Sequence, residues 1–169
     1  MTNFSLKGTA TAMLLASGII SSSAAAQSVL EGYRAHQRGD FASAVRNLRP
    51  FAENGDVSAA FLLGGLYYEG RGVAANPREA VRLWHQAANK GDTGSQYSLG
   101  LAYAGGRGVP QDFVQAHMWF NLAAAGTEGV DQGMTQKVRD LREGIAKSMT
   151  LAQVAEAQRL AREWRPEKR

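Results

Sequence analysis

The residues able to do chemistry are few. The chain has 169 residues, three histidines (His36, His85 and His117) and no cysteine. The lack of cysteine excludes disulfides, thiolate metal sites, iron–sulfur clusters and cysteine nucleophiles. The histidines fall in different segments and show no H-x-x-x-H spacing that would put two ligands on one helix face. His85 follows Trp84, and His117 precedes Met118-Trp119, which reads as a core-edge position rather than a ligand. No serine stands in a nucleophile elbow. Gly-Arg-Gly occurs at 70–72 and again at 106–108. It lacks both the Gly-Lys-Ser/Thr ending and the preceding strand of a phosphate loop. Glu69 and Asp112 do not form a paired acid and base. What remains is the chemistry of recognition. Arg71 and Arg107 are suited either to a partner carboxylate or to helix-end carbonyls nearby. Tyr68 is an amphipathic aromatic of the kind that interfaces favour, and it suits repeat packing equally well.

The two Gly-Arg-Gly segments belong to a longer repetition. Leu63 to Val73 reads LGGLYYEGRGV, and Leu99 to Val109, 36 residues on, reads LGLAYAGGRGV. Leu63/Leu99, Gly64/Gly100, Tyr67/Tyr103, Gly70/Gly106, Arg71/Arg107, Gly72/Gly108 and Val73/Val109 all coincide. A period of this length signals a solenoid or an array.

The helices that carry these residues follow from local signals. Val57–Tyr68 and Gly94–Ala104 read as first helices, each ended by glycines that accept the left-handed C′ conformation. Second helices begin at Asp40, Asn76 and Asp112, again 36 apart, all N-cap residue types. Pro77 suits a first helical position, and Glu79 and Gln115 stand where a capping box needs them. The inner faces repeat as Ala44/Ala80/Ala116, Leu48/Trp84/Phe120 and Ala52/Ala88/Ala124. Before them, Ser28–Arg38 and Phe41–Asn54 form a first pair, without the Gly-Arg-Gly-Val loop. Pro50 is expected to bend or shorten the second of these. After them, Met134–Lys147 is a helix, and Thr150 with Gln153 opens a last helix over Leu151–Trp164. Pro166 ends that helix, and Glu167–Arg169 are expected to fray.

The first pair, with Gly32, Ala35, Gly39-Asp40, Ala44 and Leu48, resembles a tetratricopeptide repeat. The two full units run from Ala59 to Ala88 and from Ser95 to Ala124. Their Leu-Gly-x-x-Tyr, Gly-x-Gly-Val, Asn/Asp cap and Ala-Ala ending resemble the Sel-one-like repeat (SLR), a relative of the tetratricopeptide repeat. That resemblance implies an all-α, α/α superhelical solenoid of antiparallel helix pairs that mediates protein–protein contacts. The expected organisation is a signal peptide over 1–26 and a tetratricopeptide-like pair over 27–56. SLR repeats follow over 57–92 and 93–128, then C-terminal capping helices and a short tail over 129–169.

Composition sets the remaining bounds. The formal net charge is +4, too mild for a nucleic-acid stripe. The C-terminal cluster Arg159, Arg162, Arg165, Lys168 and Arg169 is interleaved with Glu156, Glu163 and Glu167, as on a solvated helix face. At the other end, Lys7, the apolar run Ala10–Ile20 and Ala24-Ala25-Ala26 stand in the order of a secretory signal peptide. The run is too short and too rich in small residues to span a bilayer. Cleavage is expected after Ala26, with retention as an anchor the other outcome. Export then places the protein in the periplasm of a Gram-negative cell, or outside it.

The expected function is a non-enzymatic exported scaffold without cofactor or metal, binding another protein or peptide on the concave surface of its first helices. The expected contact residues are Tyr68, Glu69, Gln96, Ser98, Arg71 and Arg107. They lie at positions that the repeat leaves variable (Ala60/Gln96, Leu62/Ser98, Tyr68/Ala104, Glu69/Gly105) or in its loop arginines. Pairing with a second copy is also considered, because two full repeats and a half are few for a free-standing solenoid. The competing readings are an accessory or hydrolase of cell-wall metabolism, and a small-ligand or metal carrier.

Overall fold

A computed structural model describes residues 29–167. The signal-peptide expectation and Lys168-Arg169 lie outside these residues. Helices pack in antiparallel pairs: α1 (29–37) with α2 (Phe41–Glu53), α3 (Val57–Glu69) with α4 (Pro77–Ala88), and α5 (Thr93–Gly105) with α6 (Phe113–Thr127). Two more follow, α7 (Gln132–Ala146) and α8 (Leu151–Glu163). No strand occurs among the described residues. The chain is an α solenoid of helix pairs.

The division of labour between helices is written in their polarity. α3 is apolar almost all round because it lies between α2 and α4. α4 is amphipathic and turns Ala80, Val81, Leu83, Trp84, Ala87 and Ala88 inward. Within each pair a glycine lets the partner helix approach. A Cβ added at Gly64 would lie 2.5 Å from Trp84 Nε1, and one at Gly100 would lie 2.5 Å from the Phe120 ring. Gly32 meets Leu48 in the same way. The spacing from Gly32 to Gly64 is 32 rather than 36, because the first unit lacks the four-residue loop.

Three equivalent hydrogen bonds tie each second helix to the first. The N-cap amides of Asp40, Asn76 and Asp112 donate to Ala35 O, Tyr67 O and Tyr103 O. The cap side chains accept from Ser43 N, Glu79 N and Gln115 N. The full capping box expected at Asn76 and Asp112 is therefore only half formed: the cap amide is already bonded to the tyrosine carbonyl, and Glu79 turns to Arg82 (2.6 Å). At Thr150–Gln153 both arms are present.

Successive units are joined through the Gly-Arg-Gly loop. Gly72 (φ +70°) would place a Cβ 2.3 Å from the Phe41 carbonyl carbon, and Gly108 (φ +89°) would place one 2.4 Å from Pro77 O. Each loop thus sits directly on the start of the preceding second helix. Val73 and Val109 tuck in beside the cores. Pro50 does not end α2, which runs on to Glu53. Its missing N–H would have bonded Arg46 O, and Arg46 and Pro50 are both on the exposed side, where that carbonyl is open to solvent.

The C-terminal cap differs from a further helix pair. α7 packs on α6 with Val138, Met134, Leu141 and Ile145 against Phe120, Ala116 and Ala123. α8 does not pair with α7. It returns to lie on α6 and the α4 side, seating Ala157, Leu160 and Ala161 beside Trp84, Met118 and Trp119. Counting eight residues from the N-caps Asp56, Asp92 and Asp131 leads to Gly64, Gly100 and Arg139. Arg139, paired with Glu128 at 2.9 Å, stands where the other units have the glycine that admits a partner helix. The expected fraying does not include Glu167. Its amide donates to Asn89 O at 2.7 Å, and Asn89 Nδ2 donates to its carboxylate at 3.2 Å.

Candidate functional site

The first helices α1, α3 and α5 line a groove of about 480 Å³. Its apolar part is Phe61, Leu62, Leu66 and Leu101, with Gly65 between them, and its rim carries His36, Tyr68, Glu69, Arg71 and Ser98. A volume of this size takes one or two large side chains or a small ligand. Leu101 is 38% exposed, a large apolar residue left facing solvent.

Tyr68 is the most highly constrained residue of the rim. Its ring lies 5.0 Å from that of Trp84, centroid to centroid. On it lies the Arg107 guanidinium, 4.1 Å from the centroid, and Arg107 Nη2 donates to Tyr68 O at 2.6 Å. Trp84 is itself held, its Nε1 donating to Phe61 O at 3.2 Å. An indole, a phenol packed against it at a tilt of 46°, and a guanidinium thus form a cluster that crosses from one unit into the next. Glu69 and Arg71 form an exposed ion pair at 2.8 Å. Arg71 also lies 5.3 Å over the Phe41 ring, against which His36 packs edge-on at 5.6 Å.

The six expected contact residues divide accordingly. Tyr68, Glu69, Arg71 and Ser98 line the groove. Ser98 Oγ already donates to Gly94 O at 2.9 Å. Arg107 borders the groove through Tyr68 and bonds a helix-end carbonyl. Gln96 is a correction: it is 3% exposed, wedged at the seam between units with Nε2 toward Ala88 O, and it cannot touch a partner. Its counterpart Ala60 is buried in the same place. Sequence reasoning missed Phe61 and His36 as lining residues. His36 corresponds to Tyr68 once the four-residue gap in the first unit is allowed for, and that gap was the available signal.

The histidines away from the groove are structural. His85 Nε2 faces Tyr103 OH at 3.1 Å, and its ring packs edge-on against Tyr103 and Trp119. Burial holds its pKa below the ordinary value. Burial, helped by the charge of Arg142, does the same for His117, whose Nδ1 makes no hydrogen bond among the described residues. Burial and the charge of Asp112 push the Tyr103 phenol up. No group of His, Asp or Glu among the described residues is arranged to hold a metal ion. The groove offers stacking, apolar contact and charged donors, with no nucleophile beside a base.

Known proteins agree with this geometry. The chain matches the Sel1 repeat family twice, over residues 57–92 and 93–127. It is similar to the crystal structure of c5321, a protective antigen present in uropathogenic Escherichia coli strains displaying an SLR fold. That similarity has a TM-score of 0.72 and 28% identity, over 83% of this chain and 29% of that one. It is also similar to a Sel1 repeat protein from Oxalobacter formigenes, with a TM-score of 0.62 and 26% identity, over 82% of this chain and 55% of that one. The chain therefore spans about a third and about half of the lengths of these two relatives. A comparison with curated protein sequences returns no match. Sel1 repeat proteins are in general scaffolds for protein–protein contact rather than catalysts. The chain thus carries two Sel1 repeats in register within stacked helix pairs like those of an SLR fold.

Proposed function

We propose that this protein is a non-enzymatic, exported scaffold that holds a segment of another protein in the groove of its first helices. The observation that carries the reading is the groove itself. Half-buried Leu62 and exposed Leu101 line it, and the Trp84–Tyr68–Arg107 cluster holds its rim in place before any partner arrives. A preordered rim lowers the entropy lost on binding. Export rests on Lys7, the apolar run Ala10–Ile20 and the Ala24–Ala26 site. No described helix is long and apolar enough to cross a membrane.

The test is in-cell photo-crosslinking from Leu62 and Leu101, with exposed Gln158 on α8 as control. A discrete adduct from the two groove positions alone is expected. Equal capture from Gln158, or turnover of a cell-wall substrate by the purified protein, overturns the reading. Fractionation and N-terminal sequencing test export: periplasmic protein beginning at Gln27 is expected, and unprocessed cytoplasmic protein refutes it.

A further inference from the structure

Gly65 is a glycine that the fold does not require. It lies in the middle of α3, its φ is not positive, and a Cβ added there would meet nothing within 4 Å. Its neighbour Gly64 admits Trp84, and Gly70 and Gly72 have left-handed backbones. Glycine weakens the middle of a helix relative to alanine, so Gly65 lowers stability with no gain in packing. It lines the groove, and the equivalent position of the next unit holds the exposed Leu101. The missing side chain is the hole in the groove floor.

The rim beside this hole is electropositive. One helical turn on from Gly65, about 5–6 Å along α3, stand Tyr68 and Glu69. Arg71 and Arg107 bring two guanidiniums, and among the described residues Arg71 pairs with Glu69. Among the described residues Arg107 has no carboxylate partner: its one hydrogen bond goes to Tyr68 O, which leaves most of its five donors unmatched.

We infer that the groove recognises an acidic polypeptide segment carrying one large apolar side chain. That side chain enters over Gly65 between Leu62, Phe61 and Leu101. A carboxylate one or two residues away, at about 3.3 Å per residue of extended chain, meets Arg107 and Arg71. The inference rests on the groove reading above and specifies its partner.

The probes are three fluorescein-labelled synthetic peptides of equal length: a Phe flanked by Glu, the same peptide with Ala for Phe, and the Phe peptide with Lys flanks. Fluorescence anisotropy with the purified protein should show the Glu-flanked Phe peptide binding at least about tenfold more tightly than either control, with affinity falling as salt rises. Gly65→Leu should remove that binding while raising the thermal midpoint, an outcome that a merely structural glycine would reverse. Arg107→Gln should reduce the preference for Glu over Lys flanks and leave the preference for Phe over Ala. Equal binding of the Phe and Ala peptides, equal or tighter binding of the Lys-flanked peptide, unchanged affinity in Gly65→Leu, or no binding of any peptide up to about 1 mM overturns the inference. The groove reading is judged separately: adducts from Leu62 and Leu101 sustain it whatever the peptides do.

Discussion

Gly64→Ala and Gly65→Ala put the same methyl group on adjacent residues of one helix, and their effects should have opposite signs. Each change gains about 1 kcal/mol of helix propensity. At Gly65 nothing opposes the gain, because the new Cβ enters open space. At Gly64 the Cβ would stand 2.5 Å from Trp84 Nε1 and 2.7 Å from its Cδ1. Apolar contacts relax at about 3.5–4.0 Å, so the indole must move by about 1 Å. Trp84 is 5% exposed, stacked on Tyr68 and bonded to Phe61 O. Overpacking of this kind costs about 1–3 kcal/mol, and the strained hydrogen bond costs about 1 kcal/mol more. Gly64→Ala should therefore be destabilised by about 1–3 kcal/mol net, and Gly65→Ala stabilised by about 0.5–1 kcal/mol. At about 2–4 °C per kcal/mol for a chain of this length, the two melting points should separate by several degrees. Urea titrations with an unchanged slope would assign the shift to stability rather than to a looser native state, and tryptophan fluorescence should change in Gly64→Ala alone. A Gly64→Ala protein as stable as wild type, or a destabilised Gly65→Ala, refutes the packing argument. Gly100→Ala, aimed at Phe120 from the same 2.5 Å, should repeat the Gly64 result and show that the rule belongs to the repeat.

Gly72→Ala should cost at least about 3 kcal/mol, because a left-handed residue is combined with backbone overlap on Phe41 that no side-chain rotation relieves. Gly39→Ala, equally left-handed at φ +78° but with nothing within 4 Å, should cost only about 1–2 kcal/mol by the same urea assay. Asp112→Ala removes the bond to Gln115 N and should lower stability by about 1 kcal/mol. His85 and His117 have folded pKa values below the ordinary histidine value of 6.5, so the unfolded chain binds more protons as the solution is acidified. Their contribution is complete above pH 6.5 and is lost as pH falls from there toward the lowered folded values. Urea midpoints measured from about pH 7 to pH 5 should fall in wild type and fall less steeply in His85→Gln/His117→Gln; equal slopes would exclude both histidines.

The fold was legible because its determinants are local and repeated. The caps Asp40, Asn76 and Asp112 keep a spacing of 36, and the loop glycines and their Val hold the same register. What sequence reading lost depends on which side of an apolar helix faces outward. α3 and α5 are buried on both flanks, so polarity does not mark their solvent side. Variation between Ala60 and Gln96 points to a contact position, yet both residues are buried at the same seam between units. The four-residue gap before Asp40 hid the match of His36 with Tyr68. The docking of α8 on α6 was not readable either, since a periodic apolar stripe says that a helix packs but not on what. Arg139 at the glycine position of α7 was the one local hint that no partner helix follows there.

Ser95 and Gly65 both lower stability without an evident return in packing, and their settings differ. Ser95 Oγ is fully buried and makes no hydrogen bond among the described residues, where Ala59 stands in the preceding unit. A buried hydroxyl left unpaired costs about 1–3 kcal/mol, but Ser95 is sealed between helices and presents nothing to a partner. Gly65 lowers stability by less and opens directly into the groove. Local rules are expected to fail at functional sites, where the fold compensates elsewhere. Of these two, it is Gly65 that lies where a second molecule could fill it. Binding and stability should therefore trade against each other at Gly65 and move together at Gly64, where the same methyl group displaces Trp84 and, with it, the Tyr68 rim.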